Sequence, residues 1–243
     1  MRVCLLAAFT FCAALLPARA ADDKPKTGFV DKTFTNADTT TSPYVVFVPA
    51  GYDGTKEYPT ILFLHGSGET KGGKKMPVEQ GIGTAIKKRE KDFPFIVVIP
   101  QSEKRTWEAD SDDGKRAVAI LDAVQKEYKT DPKRQYLTGL SMGGAGAWSV
   151  AAAHPDRFAA VVPICGPGDP KTAEKFKGVP TWAFVGDKDS ERTVSGMKDM
   201  VEALKKAGAD AKLTVYPGVP HNSWDMAYGT DDLYKWLLEQ KKK

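Results

Sequence analysis

From residue 44 onward the chain alternates short, almost wholly apolar runs with longer stretches in which apolar residues recur at helical spacing. The apolar runs are Tyr44–Val48, Thr60–Leu64, Phe95–Ile99, Gln135–Thr138, Ala160–Ile164, Trp182–Val185 and Lys212–Tyr216. Several lack polar alternation, as expected of strands in a parallel sheet covered on both faces. The intervening pattern predicts helices over 78–91, 113–129, 142–153, 191–207 and 225–240. Asp113 and Ser190 suit helix starts, and Gly208 suits a stop. No repeat or wide linker interrupts this order, so residues 29–243 read as one α/β domain: a mostly parallel central sheet with helices on both faces. In such sheets chemistry gathers in the loops at the carboxyl ends of the strands.

The N-terminal segment has a different pattern. Met1-Arg2 is followed by an apolar run from Val3 to Leu16, which ends at Pro17-Ala18-Arg19-Ala20. The run is shorter than the roughly 20 residues a membrane span needs, and it closes on an Ala-x-Ala site. Residues 1–20 therefore read as a signal peptide. The mature protein is expected in the periplasm or outside the cell, without stable membrane insertion. Residues 21–28 are polar, with Pro and Gly, and read as a disordered lead-in.

Charge and cysteine content narrow the picture further. Arg2 and Arg19 leave with the signal, so 33 basic residues face 31 acidic ones, a net charge of about +2. Such a balance gives no electrostatic case for nucleic acid. Cys4 and Cys12 also leave with the signal, and Cys165 alone cannot form an intramolecular disulfide. At the end of an apolar run, it reads as buried filler.

Four strand ends carry chemistry. Gly139-Leu140-Ser141-Met142-Gly143 fits G-x-S-x-G between a strand and a helix. A serine on so sharp a turn crowds the residues two before and two after it, and glycine relieves that crowding. The turn lifts the Ser141 hydroxyl out of the sheet and leaves the Met142 N–H at a helix N-terminus, where a developing oxyanion can use it. The second end, His65-Gly66-Ser67-Gly68-Glu69, turns over glycines and can offer a second backbone N–H. The third, Gly186-Asp187-Lys188-Asp189, presents two candidate carboxylates that spacing alone does not separate. Its D-x-D lacks further ligands at useful spacing, so no metal is expected. The fourth carries His221. Of the three histidines in the chain, His154 lies roughly 20 Å from Ser141 along its helix, and His65 is better placed to brace its loop than to move a proton. His221 remains as the general base and completes the order Ser…Asp…His.

These segments, LFLHGSGE, VVIPQ, LTGLSMGGAGAW, HPDRFAAVVPICG, VGDKD and LTVYPGVPHNSWD, resemble the α/β-hydrolase superfamily over Tyr44 to Leu238. The likeness is to its carboxylesterase and dienelactone-hydrolase-like branch, whose bacterial members include proteins labelled phospholipase/carboxylesterase or peptidase. The resemblance implies an α/β-hydrolase fold with Ser141 as nucleophile and His221 as base. Counting from Gly186, the family's G-x-x-D pattern places the acid at Asp189. The resemblance also implies an oxyanion hole from the backbone N–H groups of Ser67 and Met142. Family members commonly follow the acid with Val-Val-Pro, and here Ser190-Glu191-Arg192 stands in that place.

The implied reaction is acyl transfer from an ester to water through an acyl-enzyme, with no metal or organic cofactor. Short loops leave little chain for a lid, which favours small or protruding acyl groups. Trp107 and Trp224 are candidate aromatic walls for an acyl or sugar ring, so the expected substrate is a small-molecule or glycan-linked ester. A serine peptidase of the same fold is the alternative within hydrolases. A binding protein that keeps the fold without catalysis is the alternative outside them, although no triad member is missing from the sequence.

Overall fold

Eight strands form one sheet in the computed structural model, which describes residues 25–73 and 76–242. The strands are β1 (Gly28–Thr35), β2 (Thr41–Val48), β3 (Tyr58–Leu64), β4 (Ile96–Pro100), β5 (Thr130–Leu140), β6 (Ala160–Ile164), β7 (Thr181–Gly186) and β8 (Ala211–Tyr216). Their order across the sheet is β1-β2-β4-β3-β5-β6-β7-β8. β1 pairs antiparallel with β2, and β2 with β4; every later pairing is parallel. The helices are α1 (Ile82–Arg89), α2 (Asp112–Glu127), α3 (Met142–Ala153), α4 (Glu191–Lys206), α5 (Trp224–Gly229) and α6 (Asp231–Glu239).

The continuous apolar runs have a direct structural cause. Along β3, Leu62 and Leu64 face one core while Ile61 and Phe63 face a second core on the other side. β4 divides in the same way, Ile96 and Val98 against Val97 and Ile99. The first core is closed by Leu121 and Val124 of α2, Ala147 and Val150 of α3, and Met200 and Leu204 of α4. The second is closed by Ile82 and Ile86 of α1, Tyr228 of α5, and Leu233 and Leu237 of α6. Because both faces of each strand are covered, neither alternate position has to be polar. Truncating any of these leucines or isoleucines to alanine removes about 2–5 kcal/mol.

The topology places the site. From β3 the chain passes to β4 on one side, then returns to β5 on the other side of β3. This reversal opens a crevice at the carboxyl ends of β3 and β5, where ligands bind in open α/β sheets. The loop holding Ser67 leaves β3 there, and Ser141 directly follows β5.

Several boundaries differ from the sequence reading. Gly28, placed in the lead-in, is the first residue of β1. That edge strand is only half-buried and mixes polar with apolar residues, so its periodicity is weak. β5 begins at Thr130, where a helix was expected to end. The helix predicted over 225–240 is two helices, because Thr230 adopts an extended conformation (φ −86°, ψ 121°) after Gly229. The helix predicted over 78–91 starts only at Ile82, after Gly81 turns at φ 57°. The signal peptide, and the lead-in as far as residue 24, lie outside the described residues. Among the described residues, no helix is long and apolar enough to cross a membrane.

Candidate active site

Ser141 stands between β5 and α3 with φ 54° and ψ −116°, a conformation that costs a non-glycine residue about 1–3 kcal/mol. Its own backbone holds it there. The Ser141 N–H donates to the Ile164 carbonyl of β6 at 2.9 Å, and its carbonyl accepts from the Ala145 N–H at 3.1 Å. The flanking glycines are required by contact. A Cβ on Gly139 would overlap the Gly143 carbonyl, and a Cβ on Gly143 would overlap the Leu64 carbonyl at the end of β3. The elbow is thus pressed against the strand that carries the neighbouring loop.

His221 and Asp189 converge on Ser141 from two other loops. The His221 Nε2 lies 2.8 Å from the Ser141 Oγ, and its Nδ1 lies 2.7 Å from the Asp189 Oδ2. The His221 side chain is 46% exposed and the Asp189 side chain 4%, so the carboxylate is sheltered while the imidazole meets solvent. The second Asp189 oxygen accepts from the Ser190 N–H at 2.6 Å. The other candidate acid has separate work. Asp187 Oδ1 accepts from the Gly218 N–H at 2.7 Å and braces the loop that delivers His221. Gly186 lets the two loops meet, since a Cβ there would overlap the Val219 carbonyl.

Ser67 opens a short 3-10 helix, Ser67–Glu69, and Met142 opens α3. The N–H groups of a first helical turn have no intrahelical acceptor, and these two helices follow the adjacent strands β3 and β5. Two part-buried contacts fix the Ser67 loop. The Glu69 carboxylate accepts from the Gln80 side chain at 2.5 Å, and the Gln101 amide donates to the Glu69 carbonyl at 2.9 Å.

His65 is wholly buried below this loop. Its Nδ1–H donates to the Gly66 carbonyl at 2.6 Å, and its Nε2 accepts from the Ser102 N–H at 3.0 Å. Both ring nitrogens are committed to backbone, and burial pushes the imidazole down to about 4, so it stays neutral. His154 caps the far end of α3.

The two candidate wall tryptophans part company. Trp107 is corrected: it is 2% exposed, its Nε1–H donates to the His65 carbonyl at 2.9 Å, and its ring packs edge-on to His65 at 5.0 Å. It also abuts Gly146, where a Cβ would overlap it, so it belongs to the core packed against α3. Trp224 is half-buried and stands edge-on to His221, with ring centroids 5.5 Å apart. Cys165 has a neighbourhood that the sequence did not disclose. It is buried, as expected of a filler residue, yet its sulfur lies within 4.8 Å of ligating atoms of both Asp189 and His221. Only the fold brings residue 165 to residues 189 and 221.

Residues 37–223 match the Esterase family, whose description reads "Putative esterase". Over 134 residues the chain is 29% identical to the "Bifunctional acetylxylan esterase/xylanase XynS20E" of Neocallimastix patriciarum, covering 54% of this chain and 19% of that one. Over 128 residues it is 27% identical to the "Probable feruloyl esterase C" of Aspergillus terreus, covering 51% and 46%. The chain therefore spans less than half the length of these curated relatives. Among solved structures, a thermostable esterase superposes with a TM-score of 0.75 at 29% identity, over 88% of this chain and 63% of that one. A feruloyl esterase module from Clostridium thermocellum shares the fold at a TM-score of 0.64 and 21% identity, over 91% and 93%. The G-x-S-x-G elbow, the mostly parallel eight-stranded sheet and the family match over most of the chain agree: this protein belongs to the Esterase family of the α/β-hydrolase fold.

Proposed function

We propose that this chain is an exported serine hydrolase that cleaves carboxylic esters through a Ser141 acyl-enzyme. The observation that carries the reading is the unbroken Ser141–His221–Asp189 chain of hydrogen-bonding distances, 2.8 Å and 2.7 Å. Asp189 accepts the Nδ1–H of His221 and so leaves Nε2 free to take a proton. Ser141 Oγ attacks the ester carbonyl as its proton passes to Nε2. The oxygen that gains charge is received by the N–H groups of Ser67 and Met142, each such donor being worth about 10²–10³ in rate. The imidazolium then protonates the departing alcohol, and water repeats the sequence to release the acid.

The substrate we propose is a small or aromatic acyl ester carried on a polysaccharide. Trp224 beside the base offers one aromatic face, and the acetylxylan and feruloyl esterases among the relatives act, by name, on esters of this kind. A leader at residues 1–20 would deliver the enzyme to the periplasm or beyond, where such polymers lie. The test is a panel of acetyl, longer acyl and feruloyl esters, a matched amide, and acetylated and feruloylated xylan. The expected result is turnover of small and aromatic esters with acid released from xylan, little amide cleavage, and loss of all of it in Ser141→Ala. Turnover of simple esters with no acid from either xylan would remove the polysaccharide part.

A further inference from the structure

Beneath the Asp189–His221 contact sits a thiol that the hydrolytic mechanism does not use. Cys165 directly follows β6, is 1% exposed and takes φ 42°, which turns it under the loops of the site. One ligating atom from each of Cys165, Asp189 and His221 lies within 4.8 Å of the other two. Close by in sequence to His221, the Ser223 side chain is wholly buried, and its hydroxyl completes no hydrogen bond among the described residues. Sulfur, imidazole and carboxylate together are the donor set of a thiophilic divalent cation such as Zn²⁺ or Cd²⁺.

We propose that Cys165, His221 and Asp189 form an inhibitory site for a thiophilic divalent cation, which switches the esterase off by capturing the ring nitrogen that Asp189 normally holds. This rests on the reading of Ser141, His221 and Asp189 as the catalytic groups. Zinc donors at about 2.0–2.3 Å from the ion lie roughly 3.5 Å apart, so movements on the order of 1 Å complete the site. His221 is the exposed member, and rotation of its ring is the entry path. The exchange balances without any redox step. The cation binds the Cys165 sulfur, an Asp189 oxygen and the His221 Nδ1. The thiol proton leaves to solvent, and the Nδ1 proton is replaced by one on Nε2, so the imidazole remains neutral in its other tautomer. With a proton on Nε2, His221 donates toward Ser141 and can no longer accept from it.

The test uses CdCl₂ on the purified protein with a simple ester as substrate, together with the Cys165→Ala, Cys165→Ser and Ser141→Ala variants. The wild type should lose turnover at micromolar Cd²⁺, recover it on chelation, and be indifferent to Mg²⁺. Both Cys165 variants should keep basal turnover and need about tenfold more Cd²⁺ or beyond for the same loss. A thiolate-to-cadmium ultraviolet band should appear in the wild type and in Ser141→Ala, and be absent from both Cys165 variants. Cys165→Ser, the more conservative change, guards against a folding defect in Cys165→Ala. No band in the wild type, or equal Cd²⁺ sensitivity in Cys165→Ser, overturns the proposal. The band is read without turnover, so its failure is distinct from a failure of the catalytic reading, which would show as full activity in Ser141→Ala.

Discussion

His65 and His221 show how environment assigns opposite roles to one side chain. His221 is exposed, with one nitrogen on a carboxylate and the other on a hydroxyl. His65 is buried with both nitrogens on backbone, and its pKa falls from 6.5 to about 4. The sign of its effect on stability follows. Between pH 6.5 and 4 the unfolded chain binds a proton that the folded chain refuses, so stability falls as pH drops through this window. The loss amounts to on the order of 3 kcal/mol once the pH is below 4. Urea unfolding at pH 7 and pH 4.5 should show a steeper loss in the wild type than in His65→Asn; parallel pH profiles would contradict this. Trp224 makes a second prediction at this scale. Trp224→Ala should raise KM for feruloyl esters by about tenfold with a smaller effect on acetyl esters, as expected for one lost aromatic contact. An equal change for both would place Trp224 in support of His221 alone. The elbow around Ser141 was legible because its chemistry is local: a serine, two glycines, a strand before and a helix after. Trp107 and Trp224 were not separable, since nothing in a sequence tells a buried indole in a loop from a half-buried one at a helix start. Asp187 and Asp189 likewise sit two residues apart, and their partners, Gly218 and His221, arrive from a distant loop.

At the scale of elements, the decisive feature is how closely α3 approaches its neighbours. Gly143 meets the end of β3, Gly144 meets the Ile164 carbonyl at the end of β6, and Gly146 meets Trp107 in the loop before α2. The run of small residues is a docking surface with three sides, whereas the sequence pattern marked only the crowding around Ser141. Gly143→Ala should therefore destabilise the protein by several kcal/mol, about the upper range for a point change, and remove turnover together with stability. Gly178→Ala, at a position with open space around it, should change neither, within about 0.5 kcal/mol. Thermal unfolding of the two variants side by side checks this, and similar losses in both would contradict it. The break at Thr230 was hidden for a physical reason. The 225–240 pattern is continuous in hydrophobicity because α5 and α6 pack on the same core, yet Thr230 between them is extended. Periodicity reports the face that is buried and does not report a break between two helices that share it.

Over the whole molecule, two layers of helices and a sheet buried on both faces set the fold class, and that was readable from continuous apolar runs in alternation with amphipathic ones. The strand order was not readable, because register and sequence of strands across a sheet depend on pairings between distant segments. That order creates the crevice between β3 and β5 and brings Cys165 close to Asp189 and His221. The N-terminal reading belongs to this scale too. Expressed with residues 1–20 in a secreting host, the protein should appear in the exported fraction beginning at Ala21, four residues before the described fold. Intact-mass measurement checks this, and a chain still carrying residues 1–20 would contradict it. The central claim is that one strained serine forms a covalent acyl intermediate, and stoichiometric labelling with a fluorophosphonate tests it most directly. Peptide mapping should find a single adduct on Ser141, ester turnover should fall in proportion to labelling, and Ser141→Ala should show neither label nor turnover. An adduct on another residue, or undiminished turnover in Ser141→Ala, would contradict the account.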